Sequence, residues 1–217
     1  MKHSKHSKHT LGISRAVAYA SLALALAAGC ARQNAGMTDG VSGASARMDG
    51  TSADRMLDGW SPASREAYTF MTGKYGPPAE MTTTMAMWNR TGPWKRTIIM
   101  KDAIQHNFPG PHSDVMEQVI DYRVPPDMAD ELAMYDGSVI VERTKGELSA
   151  RCDKEGANFL ALNLAHEIVT GRRTVADARK MYGEEIMKMK AGQMTSYTSG
   201  LMFPMMGGTA DPDRPPM

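Results

Sequence analysis

Residues 152–190, CDKEGANFLALNLAHEIVTGRRTVADARKMYGEEIMKMK, constrain this chain more than any other stretch. The spacing predicts two helices joined by a tight turn. Asp153 is placed as the first N-cap, and Phe159, Leu160, Leu162, Leu164, Ala165 and Ile168 form a wide apolar face. Gly171 follows as a C-cap glycine. Thr174 caps the second helix with Asp177 three residues on. Val175, Ala178, Met181, Tyr182, Ile186 and Met189 make its buried stripe. Two such stripes cannot be buried on each other alone, so the hairpin requires a further layer.

The preceding sequence supplies that layer. Ser61-Pro62 opens a helix running to Lys74, and Gly76-Pro77-Pro78 stops it. Thr82–Trp88 alternates as a strand, 89–93 turns, and Trp94–Met100 returns. Lys101–Asp114 reads as a loop, followed by a helix from Ser113 or Asp114 to Tyr122. Val124-Pro125-Pro126 ends that helix, and a short helix with Met128, Leu132, Ala133 and Tyr135 follows. Ser138–Arg143 and Glu147–Cys152 form a second hairpin about Thr144-Lys145-Gly146. The expected fold is α+β: two short antiparallel hairpins in one sheet, packed against helices, with a C-terminal helical hairpin. This single domain spans 61–203. The Gly-, Pro- and Asp-rich residues 204–217 read as a disordered tail.

Residues 1–29 have the pattern of a leader, with a basic start and an apolar run from Ala16 to Gly29. That run is too short for a permanent membrane span. Leu26-Ala27-Ala28-Gly29-Cys30 resembles a bacterial lipobox. The resemblance implies cleavage before Cys30 and its acylation, including palmitate-type chains, and so a membrane partnership through a lipid anchor. The alternative is an ordinary secreted protein with a coincidental cysteine. Ala31 after the cysteine points to the outer membrane of a two-membrane cell. Residues 30–60 then serve as a flexible tether rich in Gly, Ser, Ala and Asp. The chain has 25 Lys+Arg and 24 Asp+Glu. Lys2, Lys5, Lys8 and Arg15 precede Cys30 and no acid does, so removing the leader leaves 21 basic against 24 acidic residues. That balance excludes a nucleic-acid footprint.

Tyr75-Gly76-Pro77 and the hairpin strand ending at Trp88 resemble the helix–aromatic-Gly-x-Pro–strand–strand pattern of small outer-membrane assembly lipoproteins. Members of that group carry two helices before the hairpin, and this chain signals one. More broadly, Gly92-Pro93-Trp94-Lys95-Arg96, His106-Asn107-Phe108-Pro109, Val124-Pro125-Pro126 and Gly137-Ser138-Val139-Ile140-Val141 resemble an uncharacterised family of bacterial envelope lipoproteins. That resemblance implies an envelope setting and supplies no activity.

Three readings compete, in this order. In the first, the domain is a binding or structural module for another envelope protein, with Trp94, Lys95, Arg96, Phe108, Asn163, His166 and Glu167 as a recognition surface. In the second, it is a metal- or thiol-dependent envelope enzyme. His106, His112 and Asp114 flank one loop, and imidazole with carboxylate is a transition-metal donor set. Against this, the acids can cap turns and the histidines can pack. Cys152 lies at a helix start beside Arg151 and Lys154, where a thiol can be activated. Its leading reading is a buried structural thiol, ahead of a redox or intermolecular disulfide site and of a nucleophile; Cys152 and His106 are the catalytic candidates. His166 lies about 20 Å along the helix from Cys152, which removes the simplest Cys–His pair. In the third, Met202, Met205 and Met206 hold copper as thioethers in the periplasm, against a background of adaptable methionine packing. The sequence leaves the cofactor open. Cells fed labelled palmitate are expected to incorporate it into the wild-type chain and not into Cys30→Ser; equal labelling of both would remove the lipid anchor.

Overall fold

The computed structural model describes residues 55–210 and 213–215. The leader, Cys30 and most of the tether lie outside the described residues. Helix α1 (Pro62–Tyr75) begins as its sequence dictates: the Ser61 side chain accepts from Ser64 N–H, proline occupies the first turn, and Gly76 at φ 84° ends it. A six-stranded sheet follows, from β1 (Glu80–Met81), β2 (Met85–Thr91), β3 (Trp94–His106), β4 (His112–Asp121), β5 (Val139–Glu142) and β6 (Glu147–Cys152). Its order is β1-β2-β3-β4-β6-β5, and every pairing is antiparallel. Between β4 and β5 lie a 3₁₀ turn (Pro126–Met128) and α2 (Ala129–Tyr135). Helices α3 (Glu155–Val169), α4 (Val175–Lys190) and α5 (Ser196–Ser199) complete the fold.

The α+β architecture and the C-terminal helix pair are those read from the sequence. The middle of the chain differs. Residues 101–106 continue β3 rather than forming a loop, and Ser113–Tyr122 is not a helix: its residues lie almost wholly in β4. Val115 and Val119, four apart, fit a helical face as well as a strand face. Two neighbouring strands decide between them: β3 and β6 saturate the backbone of β4 on either side. Strand β4 is therefore central, with Val115, Met116, Gln118, Val119 and Ile120 all buried.

The helices cover the sheet face that carries Trp88, Ile99, Met116, Gln118, Ile120, Leu148 and Ala150. Two apolar clusters form there. One surrounds α1 with Trp60, Tyr68, Met71, Trp88 and Ile99. The larger surrounds α3 with Leu148, Leu160, Leu162, Leu164 and Tyr182. Tyr75 packs against both. The α3–α4 turn forms as expected, with Gly171 at φ 69° and Thr174 Oγ1 accepting from Asp177 N–H.

Helix α3 starts at Glu155, with Lys154 rather than Asp153 in the N-cap position. Glu155 is 4% exposed and its carboxylate joins the two clusters. It accepts from Trp94 Nε1 at 2.7 Å, Tyr75 Oη at 2.7 Å and Gln118 Nε2 at 3.4 Å, and pairs with Lys74. Gln118 in turn donates to Thr97 Oγ1, and Asn158 Nδ2 donates to Gln118 Oε1 at 3.0 Å. The chain end also packs: Arg123 donates to the carbonyls of Gly208 and Thr209, and Thr209 is buried. The Thr209 carbonyl lies 2.1 Å from where a Cβ on Gly146 (φ 63°) would stand, so only glycine fits that turn. Glu155→Leu orphans the Trp94, Tyr75 and Gln118 donors and is expected to cost about 3 kcal/mol. Glu155→Gln, which keeps an acceptor, should cost less; urea unfolding of the two variants checks the order.

Candidate metal centre

The β3–β4 hairpin builds the site. Residues 107–111 form its loop, and His106 pairs directly with His112 across the ladder at the loop base. Asp114, two residues beyond His112, shares its face because strand side chains alternate with period two. His106 Nδ1 lies 3.6 Å from Asp114 Oδ2, and His112 Nε2 lies 3.2 Å from Asp114 Oδ1. One donor atom from each of the three residues falls within 4.8 Å of the other two.

Each of these atoms is backed by a second partner. His112 Nδ1 faces the Gly110 carbonyl at 2.9 Å, which orients Nε2 toward Asp114. His106 Nε2 lies 3.5 Å from Asp136 Oδ1, leaving Nδ1 for Asp114. Ser138 Oγ donates to Asp114 Oδ2 and lies 3.2 Å from His106 Nδ1. Asp136 and Ser138 come from the α2–β5 turn, where Ser138 N–H donates to Asp136 Oδ1 at 2.8 Å. Asp114 is 6% exposed, and its Oδ1 faces His112 Nε2 as the charged partner that a buried carboxylate requires.

The charge balance follows from this packing. The Asp114 carboxylate, and after it the Cys152 thiol, push the His112 imidazole up to about 11 against the opposing effect of burial. Burial raises Asp136, aided by the nearby Asp114 and opposed by the Ser138 N–H and the two histidines. Burial likewise raises the Cys152 thiol, with His112 pulling it down. Cys152 is 5% exposed and closes one wall of a cavity of about 220 Å³ that it shares with His112, Tyr182, Ile186 and Met189. Phe108 lies beside the histidines. Its ring is 6.4 Å from His106 and 5.2 Å from Tyr182, with the Arg179 guanidinium 3.9 Å over its face.

The fold thus brings His106, His112 and Asp114 together and sets Cys152 against His112. Of the residues read as a recognition surface, Phe108 lies beside the histidines and the others go elsewhere. Trp94 is 1% exposed and stacks on Phe159 at 4.7 Å, because its indole N–H is needed by Glu155. Lys95 and Arg96 pair with Asp121 and Glu147 on strands β4 and β6. Asn163 is buried rather than hydrated: Nδ2 donates to the Tyr197 and Gly200 carbonyls, and Oδ1 accepts from Met202 N–H. His166 stacks on Phe203 at 4.3 Å and faces Tyr122 Oη at 2.8 Å, while Glu167 accepts from Tyr197 Oη and Arg173. That helical face is the seat of the chain's own C-terminal segment. Met202, Met205 and Met206 are exposed along irregular chain after α5.

Asp136 and Ser138 escape sequence reasoning because Asp-Gly-Ser reads as a helix stop. The Asp-x-Ser spacing, which lets an aspartate accept from a backbone N–H two residues on, is the signal that could have found them. Comparison with family models, with curated proteins and with solved structures gives no match.

Lys95 and Arg96, read as recognition residues, carry a measurable consequence through their partner Glu147. Arg96 foremost, and Lys95 after it, hold Glu147 down to about 2. A carboxylate held below its unfolded value contributes stability above pH ~4.3 and loses it as pH falls toward 2. Across that interval the wild type should lose about 2 kcal/mol relative to Glu147→Gln, after allowing for solvent at the partly exposed cations. Chemical denaturation at pH 6, 4 and 2 measures the difference.

Proposed function

We propose that His106, His112 and Asp114 bind one divalent transition-metal ion and that the protein is a metal-dependent envelope factor, with a metal-assisted enzyme as the working reading. The observation that carries this is the double set of partners. Both histidines are held from behind by a second group, Gly110 for His112 and Asp136 for His106, and Ser138 Oγ fixes Asp114 Oδ2 from beside His106 Nδ1. Metal-binding histidines are oriented by carboxylates and carbonyls in this way.

Ligands about 2.1 Å from a tetrahedral ion lie about 3.4 Å apart. Here one donor atom from each residue lies within 4.8 Å of the others, with one Asp114 oxygen facing each histidine, so small side-chain shifts would bring the set to that spacing. Two imidazoles and a carboxylate suit zinc or iron(II), and three protein ligands leave room for water or substrate. A cavity bordered by Cys152 opens beside one of the three ligands, His112. Ser138 is a poor nucleophile here, since its hydroxyl is buried and already donates to Asp114. Cys152 is better assigned to packing and to the cavity wall than to nucleophilic attack, because burial opposes its ionisation.

The lipobox-like leader supports an anchored envelope location for this centre. The binding-module reading has less support, because Trp94 and Asn163 are buried inside the domain.

The test is elemental analysis of protein purified without chelator, followed by titration of the metal-free form with Zn²⁺ and with Co²⁺. About one ion per chain is expected. Affinity should fall at least ~100-fold in His106→Gln or Asp114→Asn, and about 10-fold in Asp136→Asn, which backs His106 and the Ser138 N–H without offering a ligand itself. Metal content that is low and indifferent to all three substitutions would overturn the proposal.

A further inference from the structure

A second site stands apart from the metal centre. Helix α1, the first turn of α3, the end of α4 and helix α5 enclose a trough of about 620 Å³. Ala67, Phe70, Phe159, Met189 and Met194 give it apolar walls. Phe70 is 45% exposed and Met194 66% exposed, so the apolar surface is open to solvent.

The charges around the trough are not equivalent. Glu155 is paired with Lys74, and Glu66 with Lys154, which also lies 3.9 Å from Asp153. All three acids of the trough therefore already face a lysine. Lys190 also lines it and has no ion pair among the described residues. It lies where the trough meets the smaller cavity over His112, since Lys154, Met189 and Lys190 border both.

An occupant must therefore offer a long apolar body and one negative charge at the Lys190 end. A cationic or polar peptide would find no free acid to meet. We propose that the trough binds a single straight-chain carboxylate of the fatty-acid class, its chain along Phe70, Phe159 and Met194 and its carboxylate at Lys190. The size fits a small-molecule pocket with mostly apolar walls and few polar groups. The inference does not rest on the metal reading.

The probe is dodecanoate below its micellar concentration, titrated into the purified full chain and followed by calorimetry and by the ¹³C-methyl resonances of the methionines. Saturable binding is expected, with the Met189 and Met194 methyls shifting and that of Met100, on the sheet, staying still. Decanoate, shorter by two methylenes, should bind about tenfold more weakly. Phe70→Glu and Met194→Glu, both at exposed positions, should each weaken dodecanoate at least ~10-fold while circular dichroism stays unchanged. Lys190→Glu should weaken dodecanoate and leave 1-dodecanol unaffected. Asp114→Asn, which disables the metal centre, should bind dodecanoate as the wild type does. No saturable binding, or binding indifferent to Phe70→Glu and Met194→Glu, overturns the proposal. So does concentration-dependent dimerisation that Phe70→Glu abolishes without any dodecanoate effect, since a second copy would then be the occupant.

Discussion

The buried carboxylate of Glu155 is the interaction on which the rest of this structure depends. A charge removed from water is tolerated only where donors and countercharge replace its hydration. Here the donors come from three separate parts of the chain: Tyr75 and Lys74 at the end of α1, Trp94 at the start of β3, and Gln118 in the middle of β4. Its place in the first turn of α3 adds the favourable end of the helix dipole. One side chain thus fixes where α3 lands on the sheet and joins the α1 cluster to the α3 cluster. With α3 in place, α4 packs outside it, and Tyr182 and Ile186 reach the loop side of the sheet.

That placement determines the chemistry available to the β3–β4 loop. The histidines face each other because the hairpin register makes them partners, and Asp114 follows on the same face. They become a candidate metal centre rather than surface polar groups because the α2–β5 turn presses Asp136 and Ser138 against them. Cys152, paired with Met116 one step along the same face of β4, closes the far side. The fatty-acid trough lies on the other flank of the α3 start, bounded by the ion pairs of Lys74 and Lys154. Both candidate sites are therefore consequences of how the first turn of α3 is seated.

Much of the architecture was legible in local sequence. Ser61-Pro62, Gly171 and Thr174 with Asp177 mark helix ends through their own hydrogen bonds and backbone angles. Those signals need no tertiary partner, and they hold in the structure. Strand β4 was less legible. Val115, Val119 and Ile120 satisfy a helical stripe as readily as a half-buried strand, and only the unpaired backbones of β3 and β6 decide between them. Asn163, His166 and Glu167 share a polar helix face by spacing, but spacing does not reveal that residues 197–203 would cover it.

The sequence by itself determined the α+β class, the helical hairpin, the two turns at Gly92-Pro93 and Gly146, and the residue types from which a metal centre could be made. Each of these follows from interactions among neighbours in the chain, whose range is a few residues. Only the tertiary structure decided that His106, His112 and Asp114 converge with Asp136 and Ser138 behind them, that Trp94 is buried on a carboxylate, and that an apolar trough stays open beside Lys190. Those outcomes depend on which distant donors Glu155 gathers and on the register of a central strand, and neither is encoded in the periodicity of any one segment.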